Sequence, residues 1–130
     1  MKQLKLPGTF CVGNDLLGEI PSYVSFYGKS MVFIGGEKSL KATKERLEEG
    51  FKNSDCTCSF ATCGRIVSKT EIARIMNLPE VMQAEVLCAV GGGSCMDITR
   101  TIAHEQGKAL VMIPTTVASD APCSFVSVYY

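Results

Sequence analysis

The chain has 130 residues, a length that suits one modest domain with a single core, and its formal net charge is zero. The balanced charge argues against nucleic acid and membrane surfaces as partners. No apolar run is long enough for a membrane-spanning helix, and the first residues lack a signal-peptide pattern. We therefore expect a cytoplasmic protein.

Seven cysteines are many for this length, and no two of them have C-x-x-C spacing. Without a secretion signal, we expect them to be reduced and to behave mostly as small buried hydrophobic residues. A zinc site formed by Cys56, Cys58 and Cys63 is a weaker alternative, because no fourth ligand lies nearby in the sequence.

In the first half of the chain, residues 9–12 are compatible with an edge strand, and a cap at Asn14 or Asp15 would begin a short helix. Residues 30–34 predict a buried strand, followed by a glycine turn at residues 35–38. The next segment, residues 38–51, has an amphipathic helical pattern. Its apolar side consists of Leu40, Thr43, Leu47 and Phe51.

In the second half, Ser68 or Thr70 is expected to begin a helix, and Pro79 a further helical turn. The predicted strands are residues 56–60, 86–90, 109–113 and 124–130. The sequence stops inside the last of these strands, with no turn after it. We expect that strand to be unpartnered or to rely on another chain, and the sequence to be a truncated piece of a longer protein.

The segment VLCAVGGGSCMD, residues 86–97, predicts a buried central strand, a glycine turn and the start of a helix. Ser94 and Asp97 fit an S-x-x-D capping box, which explains Asp97 more simply than a ligand contact does. Free N–H groups at such a helix start form an anion site suited to phosphate or pyrophosphate. The segment matches neither standard nucleotide fingerprint, so a plain structural turn is the alternative.

Alternating strands and helices predict βαβ units and a mostly parallel sheet. Ligands bind such sheets beyond the carboxyl ends of the strands. Three loops leave predicted carboxyl ends, at residues 35–38, 91–94 and 114–122. Their convergence favours the phosphate interpretation of the glycine turn.

Three motifs follow one another in the second half: AVGGGS with Asp97, IPTT at residues 113–116, and SDAPCS at residues 119–124. Together they resemble the N-terminal domain of the iron-containing alcohol dehydrogenase superfamily, and SDAPCS most resembles its glycerol dehydrogenase branch. The resemblance covers essentially the whole chain. It implies an α/β fold with a Rossmann-like, mostly parallel sheet flanked by helices. Residues 1–130 would be the N-terminal dinucleotide-binding domain of a two-domain dehydrogenase.

The resemblance implies NAD as the cofactor. Glu37 stands where the family usually has an aspartate for the adenosine ribose hydroxyls, and a carboxylate there would repel the 2′-phosphate of NADP. A solvated acid at a helix start is the alternative for Glu37. Asp120 matches a residue that contacts the polyol substrate. The other implied cofactor positions are Gly92, Gly93 and Ser94 at the pyrophosphate, Thr115 beside the cofactor, and Ser124, Val126 and Tyr130 near the nicotinamide.

In the family, an aspartate and histidines of a helical C-terminal domain hold the catalytic metal, and that domain is absent from these residues. His104, the one histidine, is expected at the surface near the end of its helix, where the helix dipole favours it. We therefore expect no catalytic or metal-binding residue in this chain. Zinc or iron would be needed only together with the missing domain.

The implied function is NAD-dependent, metal-dependent oxidation of a glycerol-like polyol or alcohol, with this chain supplying the nucleotide-binding part and inactive alone. One alternative is a truncated or stand-alone NAD-binding module without activity. Another is a dehydroquinate-synthase-like enzyme, against which the sequence Asp120-Ala121-Pro122 argues. The expected partners are a small-molecule alcohol or polyol and further copies of the chain, in a homo-oligomer or through the exposed last strand.

Overall fold

The computed structural model describes residues 7–12, 20–25, 27–52, 54–114 and 125–129, with the backbone alone for residues 7–12, 23 and 125–129. These residues form six strands and five helices. In chain order the elements are β1 Pro7–Val12, α1 Ile20–Val24, β2 Ser30–Gly35, α2 Glu37–Phe51, β3 Thr57–Thr62, α3 Lys69–Met76, α4 Pro79–Gln83, β4 Val86–Val90, α5 Gly93–Gln106, β5 Ala109–Ile113 and β6 Phe125–Tyr129.

All six strands belong to one sheet, in the order β1-β6-β5-β4-β2-β3. Four consecutive strands of the sheet, β5, β4, β2 and β3, are parallel to one another, and helices connect them along the chain. This arrangement confirms the predicted α/β fold with a mostly parallel sheet. It also brings the carboxyl ends of these four strands to one edge.

The last strand does not lie at the edge of the sheet. β6 pairs antiparallel with β5 on one side and with β1 on the other, so β1 lies at one edge of the sheet and β3 at the opposite edge. The expectation that the last strand is unpartnered is therefore wrong. Its partner β1 lies more than a hundred residues earlier in the sequence, and local pattern carries no information on such a pairing.

Hydrophobic residues fill both faces of the sheet, because successive side chains of a strand point to opposite sides. In β2, Met31 and Phe33 pack towards α1 and α2, while Val32 and Ile34 pack towards α3, α4 and α5. The predicted apolar side of α2 is confirmed, since all four of its residues are buried. All five residues of β4 are buried as well, as expected of a central parallel strand.

The helix boundaries follow from their caps. Ser68 caps α3 by accepting a hydrogen bond from the Glu71 backbone N–H, which confirms one of the two predicted starts. Gly107 ends α5 in the left-handed conformation, at φ 65°. The predicted cap at Asn14 or Asp15 lies outside the described residues.

Candidate functional site

The glycine turn after β4 begins with a residue that has to be glycine. Gly91 has φ 114°, a conformation that side chains rarely adopt. Its backbone N–H donates to the Ile113 carbonyl oxygen at 3.1 Å, which ties the turn to the end of β5. The chain can thus leave a buried strand and enter α5 within three residues.

The start of α5 differs from the predicted capping box. Gly92 is the N-cap, in an extended conformation, and its carbonyl oxygen accepts the first helical hydrogen bond, from Met96 N at 3.1 Å. Ser94 is therefore already the second helical residue and cannot cap the helix. Asp97 instead pairs with Arg100 at 3.2 Å. The prediction was wrong because the glycine turn itself supplies the cap.

The space above this turn is open. A Cβ added to Gly92 or Gly93 would meet no atom within 4 Å, and both residues are exposed. The first N–H groups of an α-helix have no acceptor within the helix, and Gly92 has no side chain to accept from them. The first turn of α5 also holds no acidic residue. These features fit a phosphate group, which needs donors, room and the absence of negative charge.

A second glycine turn lies directly beside the first. Gly35 ends β2 opposite Val90, the last residue of β4. Gly36 is the N-cap of α2, and a Cβ there would meet nothing within 4 Å. Glu37 is the first residue of α2, is exposed, and makes no side-chain hydrogen bond or ion pair with any other described residue. Its carboxylate therefore has free acceptors at the same edge as the turn after β4.

The end of β3 completes this edge. The Cys63 backbone N–H donates to the Gly35 carbonyl oxygen at 2.9 Å. Arg74 reaches back from α3 and donates to the Thr62 carbonyl oxygen at 2.9 Å. The Glu71 carboxylate accepts from Arg74 and from the Gly64 backbone N–H.

These donors stabilise the charged form of Glu71. The guanidinium of Arg74, first, and the Gly64 N–H, second, lower the pKa of Glu71 to about 2. The same pairing raises the pKa of Arg74. The two side chains hold the segment between β3 and α3 in place.

Cys63 and Cys95 form a disulfide, with their Cα atoms 6.3 Å apart. The expectation that the cysteines are all reduced is therefore wrong for this pair. Three others, Cys56, Cys58 and Cys88, are free thiols. The link was not visible in the sequence, because it spans 32 residues and depends on the order of the strands. With Cys63 bonded to Cys95, the zinc site of Cys56, Cys58 and Cys63 has no support.

A sequence profile described as "Iron-containing alcohol dehydrogenase" matches residues 7–130. The chain belongs to this family. The glycerol dehydrogenase of Escherichia coli O6:H1 is 28% identical over 127 residues, which are 98% of this chain and 35% of that protein. The glycolaldehyde reductase of Halobacterium salinarum is 25% identical over 97% of this chain and 34% of its own length. The chain thus spans about a third of the length of these curated relatives.

Solved structures of the family have the same fold. Glycerol dehydrogenase from Schizosaccharomyces pombe superimposes with a TM-score of 0.72 at 23% identity, over 84% of this chain and 28% of that chain. A probable glycerol dehydrogenase from Sinorhizobium meliloti gives a TM-score of 0.67 at 24% identity, over 85% and 29%. These likenesses confirm the Rossmann-like fold that the motifs implied.

Several predicted site residues of this family member lie outside the described residues. They are Thr115, Asp120, Ser124 and Tyr130. The backbone of Val126 lies in β6, opposite Cys11 of β1. The structure thus brings together Glu37, Gly92, Gly93 and Ser94 at one edge, and the predicted roles of all these site residues stay predictions.

Within the described parts of the chain, no three His, Cys, Asp or Glu side chains lie close enough together to hold a metal ion. His104 is exposed in the last turn of α5, as expected, at the end of the helix opposite the glycine turn. No helix in the described ranges is long and apolar enough to cross a membrane.

Proposed function

We propose that the edge formed by the ends of β4 and β2 binds NAD, with the diphosphate over the glycine turn at the head of α5. The observation that carries this proposal is the open turn. Gly92 and Gly93 are exposed, the first N–H groups of α5 have no helical acceptors, and a Cβ added at either glycine would meet no atom within 4 Å. Membership of the iron-containing alcohol dehydrogenase family supports it.

In this arrangement the residues of the two turns have different roles. The N–H groups of Gly93 and Ser94 donate to the diphosphate, and the absence of a side chain at Gly92 allows its close approach. The Glu37 carboxylate accepts from the hydroxyls of the adenosine ribose. A 2′-phosphate would meet that carboxylate with like charge, so NAD is favoured over NADP.

For the whole protein, we infer NAD-dependent oxidation of a glycerol-like polyol or a related alcohol. The similarity to glycerol dehydrogenases over nearly the whole chain supports this inference. NAD, when bound, accepts a hydride from the alcohol carbon. The described residues do not provide a metal site, so the zinc or iron of the proposed reaction would require ligands outside them.

The remaining parts of the proposal rest on the family resemblance. Asp120 would contact the polyol, Thr115 would lie beside the cofactor, and Ser124, Val126 and Tyr130 would lie near the nicotinamide. A cytoplasmic location and a homo-oligomeric state belong to the same proposal.

The direct test is NAD binding to the 130-residue chain by calorimetry, in the wild type and in Gly92→Val. The extended backbone of Gly92 and the empty space around it accept a larger residue, so the variant should fold. The added side chain would occupy the diphosphate position, and affinity should fall by more than about tenfold. Ala42→Val, on the exposed surface of α2, is the matched control and should bind like the wild type. Equal affinities in all three proteins would show that the turn is only structural.

A second test concerns catalysis by this chain alone. Mixed with glycerol, NAD and added zinc or iron, the chain should form no NADH, because the described residues offer no set of metal ligands. NADH formation is followed by its absorbance at high protein concentration. Sustained turnover that a chelator abolishes would contradict the proposal that this chain supplies only the nucleotide-binding part.

A further inference from the structure

The disulfide between Cys63 and Cys95 joins two elements of the proposed binding edge. Cys63 directly follows β3, and Cys95 is the third residue of α5, two residues after Gly93. The 6.3 Å between their Cα atoms lies within the range that disulfides span. Neither cysteine has a part in the proposed cofactor contacts, so the bond calls for another explanation.

We propose that Cys63 and Cys95 are a reversible dithiol–disulfide pair, and that their oxidation clamps the first turn of α5 in the arrangement that receives the diphosphate. The clamp itself is a property of the fold. Its effect on NAD affinity rests on the proposed function.

The positions of the cysteines single out this pair. Cys88 lies in the middle of the central strand β4, where burial raises the pKa of its thiol and disfavours the reactive thiolate. Cys56 and Cys58, next to and within β3, are free thiols. Cys63 and Cys95, in contrast, lie just after a strand and in the first turn of a 14-residue helix, close enough together for a bond. Once it is exposed in the reduced form, Cys95 is the expected nucleophile, because it lies at a helix N-terminus.

An exposed segment directly follows Cys63. Cys63 and Cys95 are 4% and 6% exposed, but every residue from Gly64 to Val67 is exposed, and Ile66 is 76% accessible. The described contacts that hold this segment are those of Glu71 with the Gly64 N–H and of Arg74 with the Thr62 carbonyl. We expect local opening of this short segment to give a reagent access to the Cys63–Cys95 bond without unfolding of the sheet.

Oxidation proceeds by exchange with a small-molecule disulfide such as oxidised glutathione. The Cys95 thiolate attacks one of its sulfurs, a mixed disulfide forms at Cys95, and the first small thiol leaves. The Cys63 thiolate then attacks the Cys95 sulfur and releases the second small thiol. In total, the two cysteines lose two electrons and two protons, and the small disulfide gains both to become two thiols.

In the oxidised, disulfide-bonded form, the glycine turn after β4 is open to a ligand. With the disulfide in place, the space above Gly92 and Gly93 is empty and the start of α5 is fixed to the end of β3. In the reduced form the Cys63 N–H still bonds Gly35, but nothing covalent restrains Cys95. The first turn of a helix opens easily when it lacks a side-chain cap, as α5 does. The oxidised form should therefore bind NAD more tightly, because the start of α5 is already fixed and loses less conformational entropy on binding.

The experiment equilibrates the 130-residue chain in reduced and in oxidised glutathione and then makes three measurements. Peptide mapping after alkylation locates the disulfide, hydrogen exchange reports the protection of the amides of residues 92–96, and calorimetry gives the NAD affinity. We expect a Cys63–Cys95 bond, protection about tenfold higher in the oxidised form, and NAD binding about threefold to tenfold tighter.

Two variants serve as controls. Cys63→Ser removes the bond and should lose both responses to oxidation, whereas Cys58→Ser, which removes a free thiol, should keep them. Absence of the bond in oxidised glutathione, or equal protection in the two forms, would overturn the clamp even if NAD binds. A difference in protection with no NAD binding in either form would support the clamp and overturn the proposed function. A difference in protection with equal NAD affinities would overturn the effect of the clamp on binding.

Discussion

The turns after β2 and β4 are built alike and differ in why a glycine is needed before each helix cap. Each follows a buried parallel strand, and in each a glycine caps the next helix and accepts its first hydrogen bond, Gly36 from Leu40 and Gly92 from Met96. Before the cap, a Cβ on Gly35 would lie 2.7 Å from the Val90 carbonyl oxygen, while Gly91 is needed for its φ of 114°. At the cap, a Cβ on either Gly36 or Gly92 would meet nothing within 4 Å. A glycine can thus be required by the packing of two strands or can leave room for a ligand, and the atoms that an added Cβ would meet distinguish the two cases.

The two turns differ in charge as well. α2 begins with Glu37, while the first turn of α5 has no acidic residue. A carboxylate at the first turn repels phosphate and accepts hydrogen bonds from hydroxyl groups, and a neutral helix start attracts phosphate. Since Gly35 and Val90 are paired neighbours, the two turns lie side by side at the carboxyl ends of their strands. We infer that the turn after β4 takes the diphosphate and the turn after β2 takes the ribose.

The comparison is tested most strongly by one substitution made in both turns. Gly35→Ser would press its Cβ against the Val90 carbonyl and should lower the free energy of unfolding by about 1–3 kcal/mol. Gly92→Ser adds the same atoms in open space at an N-cap, where serine is favoured, and should leave the stability within about 0.5 kcal/mol. Urea denaturation of both variants measures the difference. Equal losses of stability would contradict the distinction between the two glycines.

The charge difference is tested by removing the carboxylate of Glu37. Without it, the ribose loses an acceptor and a 2′-phosphate no longer meets like charge, so the preference for NAD over NADP should narrow by about threefold to tenfold in Glu37→Gln. Calorimetric titrations with both nucleotides measure the preference. Glu45→Gln, elsewhere on the exposed surface of α2, should keep the wild-type preference. A wild type that binds NADP as tightly as NAD would remove the ribose role of Glu37.

The smallest expected effect concerns the end of β3, where the charged Glu71 carboxylate stabilises the fold and has no proposed role in binding. The folded-state pKa of Glu71 is about 2, below its ordinary value of 4.5, so its contacts stabilise the fold above about pH 4.5 and are lost as the pH falls towards 2. Glu71→Gln should therefore be less stable than the wild type by about 1 kcal/mol at neutral pH, and this difference should shrink in acid. Urea denaturation from pH 7 to pH 2 tests this, with Glu45→Gln as a control. A difference that does not change with pH would contradict the role of the charged carboxylate.

Local pattern predicted much of this fold. The apolar side of α2, the buried strand β4 and the Ser68 cap are each determined by residues within a few positions of one another. The glycine turn between β4 and α5 was also predictable from local pattern, whereas its role in binding stays a prediction. The exact helix start was not, since serine and glycine both cap helices and only the backbone conformation distinguishes them.

Features that join distant segments were missed. The place of β6 between β5 and β1 and the Cys63–Cys95 bond both depend on the order of strands in the sheet. The contacts of Glu71 with Gly64 and Arg74 are nearer in sequence, but they depend on the path of an irregular segment. Periodicity describes a single element and carries no information on its neighbours.

The central claim is that the amides at the head of α5 bind a diphosphate, and NMR of the ¹⁵N-labelled chain tests it directly. During a titration with NAD, the backbone amide signals of Gly92, Gly93 and Ser94 should shift saturably, and inorganic pyrophosphate should compete for the same change. The dissociation constant from these shifts should equal that from calorimetry. NAD binding that leaves all three amide signals in place would contradict the account.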